Sequence, residues 1–369
     1  MSGATKTTFV TAFYNLAVKE NSNRRTSNKY YKYAHEILKR PVDLVFFGEE
    51  EDCSRVEEIR LEYGYEDQTK TFVLPFETLP MYENIPQFQK IISKNGIMGY
   101  KNNPKLTPNY LALILSKVWF LKKAAESNPY SATHFVWIDF GYFHMREDWD
   151  YLLPGRVLDS HFTNINSSWE VAGLAKDRFR ICILKDFKED TIIDAKSFYS
   201  VDNCQMAGSV LGGSEKAICA VWEKIQKQVK LSLGMNVTTA EENIIGRIAY
   251  FFPELFDFTH GYYSTSLVNF AKITTFPKNS IGLGLKWRTN EKLQQSYDIL
   301  SKIAEEIISK ADLSQTLNKD EIYSVFNELI ICSYYTNYQY YKKYAQFFKN
   351  WLVTNNYPIS DHLKMNLSF

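Results

Sequence analysis

A chain of 369 residues, 45% apolar and 23% charged, is too apolar to be disordered and long enough for one large α/β domain with a helical appendage. Its 43 basic and 42 acidic side chains leave a net charge of +1, which argues against nucleic acid as a main partner. Five cysteines without CxxC or CxH spacing exclude a disulfide framework and a structural zinc and fit reduced thiols in a cytoplasm.

The chain opens on polar residues rather than a basic and apolar leader, and the segment Phe9 to Tyr14 predicts a first buried strand. A polar loop carrying Arg24 and Arg25 leads to a helix from about Lys29 to Lys39, closed by Pro41. Val42 to Phe47 reads as a second strand, Glu49 to Leu61 as a helix, and Thr71 to Leu74 as a third strand before Pro75. A long helix is expected from Asn109 to Ala125. Its apolar run, Leu111 to Leu121, is interrupted by Ser116 and Lys117, so it does not read as a membrane span. The apolar run His134 to Ile138 then stops on Asp139.

Strands alternating with helices predict a mostly parallel sheet covered on both faces. Further on, Val171 to Leu174, Phe179 to Leu184 and Gln205 to Leu211 read as short strands. Ser214 to Leu233 reads as a helix, and Thr238 as the cap of another carrying Glu241 and Glu242. Beyond Gly284 the pattern is helical, from Glu291 to Lys310 and from Lys319 to about Trp351. The border is placed at 285/286, giving a first domain of residues 1–285 and a helical extension of residues 286–369.

Three constellations carry chemistry. An apolar strand ending on Asp139 either caps a turn or presents one carboxylate to a ligand at the strand end. Gly208, Gly212 and Gly213 form a small-residue segment beside a helix start, either a tight turn or a wall that leaves room for a bulky polar ligand. Glu241 and Glu242 open a helix, where acids serve the helix dipole or a proton transfer. His144 reads as a loop histidine or a ligand. Twenty-five Tyr and 25 Phe reflect either a compositional bias or a set of sugar-stacking rings.

The segments Phe9 to Tyr14, Trp137 to Gly141, and Leu211 to Gly213 followed by a helix together resemble the HtrL/YibB family, over roughly residues 7–270. That bacterial and viral group is linked to surface-glycan loci and related to the GT-A glycosyltransferases. The resemblance implies an α/β, GT-A-like (Rossmann-like) mixed sheet flanked by helices, with a helical C-terminal extension. It also implies a nucleotide-sugar donor, with a UDP-sugar favoured, a glycan or glycolipid acceptor, and a Mn2+ or Mg2+ cofactor. Asp139 matches the first acid of the GT-A Asp-x-Asp motif, and Gly141 stands where the second acid belongs. His260 resembles the late histidine that serves as a further metal ligand.

On the same footing Tyr14 and Asn15 would meet the base and ribose, Arg24 the diphosphate, and Gly208, Gly212 and Gly213 the donor sugar. Glu241 or Glu242 would act on the acceptor. A cytoplasmic glycosyltransferase is the expectation. The alternatives are a non-catalytic sugar-binding scaffold and a metal-dependent nucleotide-sugar hydrolase. The last helix interleaves tyrosines with lysines, either to pack its aromatic face or to rest on an anionic membrane.

Overall fold

Seven consecutive buried residues, Thr7–Phe13, form β1, the strand about which a seven-stranded sheet is organised. The computed structural model describes residues 5–20, 26–95, 106–144, 177–184, 192–201, 205–260, 266–271, 319–336 and 338–355, with isolated residues between 162 and 169 and between 297 and 308. The other strands are β2 (Leu44–Gly48), β3 (Thr69–Val73), β4 (His134–Ile138), β5 (Phe179–Ile183), β6 (Met206–Ser214) and β7 (Phe256–His260). Their spatial order is β3-β2-β1-β4-β6-β5-β7.

β1 pairs in parallel with β2 and β4, and β2 with β3. β6 runs antiparallel to both β4 and β5, and β7 is parallel to β5. The fold is therefore an α/β mixed sheet flanked by helices. The chain leaves β1 for β2 and β3 on one side and returns to β4 on the other. This reversal makes the rim between β1 and β4 a topological switch point, where open α/β sheets receive ligands.

Alternation along β1 and its neighbours builds two apolar layers. Val10, Ala12, Val45, Phe47, Phe135 and Trp137 face one core. Helices α4 (Ile85–Asn95), α5 (Pro108–Ile114), α6 (Lys117–Ser127), α8 (Glu215–Gly234) and α9 (Glu241–Phe251) contribute to the same core. Phe9, Phe13, Leu44, Phe46, Val136 and Ile138 face the other, with α2 (Ser27–Leu38), α3 (Glu50–Glu62) and α10 (Ser266–Ala271). Two short helices, α1 (Leu16–Lys19) and α7 (Ala195–Tyr199), also belong to this part of the chain.

One helix expected from Asn109 to Ala125 is two. Thr107 accepts the Tyr110 N–H at 3.2 Å to cap α5, with Pro108 in its first turn. The Ser116 hydroxyl then bonds back to the Ala112 carbonyl at 2.7 Å, and the axis restarts at Lys117. Thr238 does not cap α9. Ala240 holds that position without a side-chain cap, and the Thr239 hydroxyl accepts instead from Asn243 Nδ2 at 2.7 Å.

Two buried arginines tie loops to the sheet. Arg60 on α3, 0% exposed, donates to the carbonyls of Leu38, Arg40, Val42 and Gln68 and to the Thr69 hydroxyl. Burial draws its pKa down to about 10, only partly opposed by Tyr130, Tyr65 and the Asp43 carboxylate. Arg180 on β5 bonds Asp257 Oδ2 at 2.6 Å, the Ser168 hydroxyl at 2.8 Å and the Phe270 carbonyl at 3.1 Å, with its guanidinium 3.8 Å from the Trp169 ring centre.

The chain divides into two compact units, Met1–Ile273 and Thr274–Phe369, a little ahead of the border placed at 285/286. The second contains α11 (Lys319–Thr336) and α12 (Tyr338–Thr354). Val325, Phe326 and Leu329 pack there with Tyr344, Phe348 and Leu352, while Lys342, Lys343 and Lys349 are exposed. Lys343 pairs with Glu305 at 2.7 Å. Among the described residues no helix is long and apolar enough to cross a membrane.

Candidate functional site

Asp139 follows the last residue of β4, at the switch-point rim. Its N–H donates to the Ser209 carbonyl at 2.9 Å, and its own carbonyl accepts the Tyr142 N–H at 2.8 Å. The backbone thus closes a turn, and the carboxylate is left for other work. It lies on the same face as Trp137, two residues back, whose indole Nε1 donates to Asp139 Oδ1 at 2.7 Å.

Three further elements converge on that carboxylate. Lys117, in the first turn of α6, places its ammonium 2.9 Å from Asp139 Oδ1 and 2.5 Å from Glu241 Oε1, and donates to the Gly208 carbonyl at 3.0 Å. The Lys117 and Glu241 side chains are 7% and 5% exposed, whereas Asp139 is 26% exposed. A cation in a helix's first turn opposes the helix dipole, so the carboxylates hold Lys117 there. Glu241 is at the start of α9, where the dipole favours an acid.

Glu242, half-buried, hydrogen-bonds the Glu241 carboxyl. Gly208 on β6 explains the close fit: a Cβ there would meet Glu241 Oε1 at 2.5 Å and Glu242 Oε1 at 3.2 Å. The glycine leaves space for two carboxyl groups beside the strand.

Burial dominates the electrostatics. It raises the Asp139 pKa, opposed by the Lys117 charge and by the Lys117 and Trp137 hydrogen bonds. Burial and the neighbouring Glu241 hold the Glu242 carboxyl well above the usual carboxylate range, with Lys117 opposing. The Tyr110 phenol, also raised by burial, feels Lys117, Glu241, Asp139 and Glu242 and so faces the same cluster. Among the described residues Glu241 Oε2 is buried without a hydrogen-bond partner.

Of the residues singled out from sequence, Asp139, Gly208, Glu241 and Glu242 come together. Gly212 and Gly213 do not face a ligand space. A Cβ at Gly212 would lie 2.1 Å from the Phe135 carbonyl oxygen, and one at Gly213 would lie 2.8 Å from that of Arg178. These two glycines permit close approach of neighbouring backbone, which corrects their reading as a sugar-side wall. Tyr14 is a core residue, 2% exposed, with its ring packed near Phe76 and Phe120 and its hydroxyl donating to the Leu74 carbonyl at 3.0 Å. That placement contradicts its reading as a base-stacking platform. Asn15, half-buried just beyond β1, gives its backbone carbonyl to the Val18 and Lys19 N–H groups.

His144 is a loop residue, its Nδ1 2.7 Å from the Gly141 carbonyl. Asn243 and Arg247 bond the Val201, Ile192 and Ile193 carbonyls and brace α9. Arg24 and the strand expected at Val171 to Leu174 lie outside the described residues.

The sequence resemblance implies a divalent ion held by Asp139 and His260, and the residues described do not fit one. Asp139 Oδ1 already takes the Lys117 and Trp137 protons, and Gly141 supplies no second carboxylate. His260 ends β7, an edge strand three places from β4, about 14 Å across the sheet at the usual strand spacing; its side chain lies outside those described. Among the described residues no group of three or more His, Cys, Asp or Glu side chains is arranged to hold a metal.

Sequence reading missed Lys117 as a site residue, although its signal was present. A lysine inside an apolar helical run has to be buried with a partner or turned to water, so Lys117 argues for a buried ion pair as well as against a membrane span.

Fold and site together define an α/β protein with an acid-and-lysine cluster at its switch point. The chain belongs to the HtrL_YibB family, whose model, described as a bacterial protein of unknown function, matches residues 5–272. Comparison with curated proteins finds no match. Among solved structures, mouse xyloside xylosyltransferase 1 in its apo form is similar at a TM-score of 0.33 and 10% identity, over 69% of this chain and 84% of that one.

Proposed function

We propose that the first unit transfers a glycosyl group from a nucleoside-diphosphate sugar, with a UDP-sugar favoured, to a glycan or glycolipid acceptor. The observation that carries this reading is the meeting of Asp139, from the end of β4, with Glu241 and Glu242, from the start of α9, around the buried Lys117 ammonium. Acids from two sides of a switch-point rim suit a transition state that gathers positive charge at an anomeric carbon. They also offer a carboxyl to manage the acceptor's proton. Three carboxyl groups against one ammonium leave little to meet a diphosphate, and Arg24 is assigned to it on sequence grounds.

The test is a thermal-shift panel of UDP, GDP, CMP and their common sugars, with and without Mn2+, on wild type and Asp139→Asn. Ligand at a hundred times its dissociation constant stabilises the native state by about 2.7 kcal/mol. A shift with one nucleotide class, weakened in the variant, supports the reading. No shift with any nucleotide sinks it and leaves a non-catalytic scaffold as the better account.

A further inference from the structure

We infer, on the glycosyl-transfer reading, that the two glutamates divide the work: Glu241 is a positioning residue pinned by Lys117, and Glu242 exchanges the proton with the acceptor hydroxyl. The geometry separates the two. An ammonium has three donors, and Lys117 directs bonds to Asp139 Oδ1, the Gly208 carbonyl and Glu241 Oε1. Its charge is therefore committed to protein oxygens, and Glu241 is held as the acidic half of an ion pair. Glu241 is also shut in. Its side chain is 5% exposed, and its second oxygen is buried with no hydrogen-bond partner among the described residues.

Glu242 is more accessible and hydrogen-bonds Glu241, an arrangement that two carboxyl groups make by sharing one proton. With Lys117 facing Glu241, that proton rests on Glu242. Among the described residues, the charged and titratable groups that act on Glu242 are Lys117 on α6 and Glu241 on its own helix, with the Tyr110 phenol on α5 feeling Glu242 in turn. Only one of them is a cation. Burial and Glu241 hold the Glu242 carboxyl above the usual range, and a carboxyl drawn toward neutrality is a stronger base toward a hydroxyl than an ordinary one.

Glu242 must first release its own proton to solvent. The acceptor O–H then gives its proton to the Glu242 carboxylate, and the acceptor oxygen's electron pair forms the bond to the anomeric carbon. The bond from that carbon to the diphosphate oxygen breaks, and its electron pair leaves with the nucleoside diphosphate.

The test uses the full chain carrying glutamate labelled with 13C at the carboxyl carbon. The Glu242 signal is the one lost in Glu242→Gln. It is expected to titrate above the ordinary glutamate range, and to move down by about one pH unit or more in Glu241→Gln, where the like charge is gone. A Glu242 signal that titrates in the ordinary range, or that Glu241→Gln leaves in place, overturns the shared-proton arrangement.

UDP-sugar turnover by the same proteins tests the division of work. Glu242→Gln is expected to lower kcat roughly 100-fold or more with little change in KM. Glu241→Gln should cost less and shift the pH profile. A larger kcat loss in Glu241→Gln than in Glu242→Gln overturns the assignment. If the carbon titration holds but neither binding nor turnover of any nucleotide sugar is found, the transfer reading fails, and the role given to Glu242 fails with it.

Discussion

Lys117→Met is the most searching perturbation of the site. Methionine keeps most of the length and apolar packing of a side chain that is 7% exposed but removes the charge and all three donors. Asp139, a quarter exposed, can turn part of its charge to water. Glu241, at 5% exposed, cannot. Breaking a buried ion pair by removing one partner costs about 3–5 kcal/mol.

A stranded carboxylate can instead take up a proton. At pH 7 this costs about 4 kcal/mol, since the usual carboxylate pKa lies about three units lower and each unit is worth about 1.4 kcal/mol. Both routes give a loss of about 4 kcal/mol. The second also fixes the pH dependence. In the variant the folded state carries a proton that the unfolded state lacks at neutral pH, so the loss grows as pH rises above the usual carboxylate range. At pH 5 the same uptake costs only about 1.4 kcal/mol. Urea unfolding of the full chain at the two pH values, followed by tryptophan fluorescence, measures both. A loss below about 1 kcal/mol at pH 7 refutes the reasoning, and an equal loss at both pH values refutes proton uptake.

Glu242→Gln removes a group whose raised folded pKa makes wild type lose stability as pH climbs through and above the usual glutamate range. The variant should therefore gain on wild type from pH 5 to pH 8 in thermal melts, and parallel pH curves would contradict this. Gly212→Ala brings a methyl group to 2.1 Å from the Phe135 carbonyl oxygen and should cost at least about 3 kcal/mol by forcing β4 and β6 apart. An unchanged denaturation midpoint would show that the strands yield. Thr11, 0% exposed on β1, buries a hydroxyl with no hydrogen-bond partner among the described residues. Thr11→Val should raise stability by about 1 kcal/mol in the same assay, and a loss would reveal a partner for that hydroxyl.

The strands most legible in the sequence were β1, β2 and β4, because strands buried on both faces are written as predominantly apolar runs rather than as alternation. Strand direction is not written that way. Met206–Ser214 is apolar and small whichever way it runs, and only its pairing reveals that β6 opposes β4. β7 was missed because Phe256–His260 mixes phenylalanine with Asp257 and Thr259, whose burial depends on Arg180 and on the neighbouring strand. Asp139 was visible as an acid ending an apolar run. The glycines were visible as a group, but one letter conceals two causes: Gly208 makes room for carboxyl groups, while Gly212 and Gly213 make room for backbone. Lys117 is far from its partners in sequence, and no local pattern links it to positions 139, 208 and 241.

Arg60 and Arg180, both buried, lie toward the side of the sheet from which β2, β3 and β5 start. Arg60 grips the carbonyls leading into β2 and β3, and Arg180 is the second residue of β5, which runs in the same direction as β4. Asp139 and its partners occupy the opposite end. The first unit is thus anchored along one margin, and the proposed chemistry is placed along the other. A change at the anchored margin should show as lost folding yield in protein that, once folded, handles ligand normally. A change at the other margin should spare yield unless it strands a charge. Recognition can therefore be reshaped at one edge without renegotiating the scaffold that carries it.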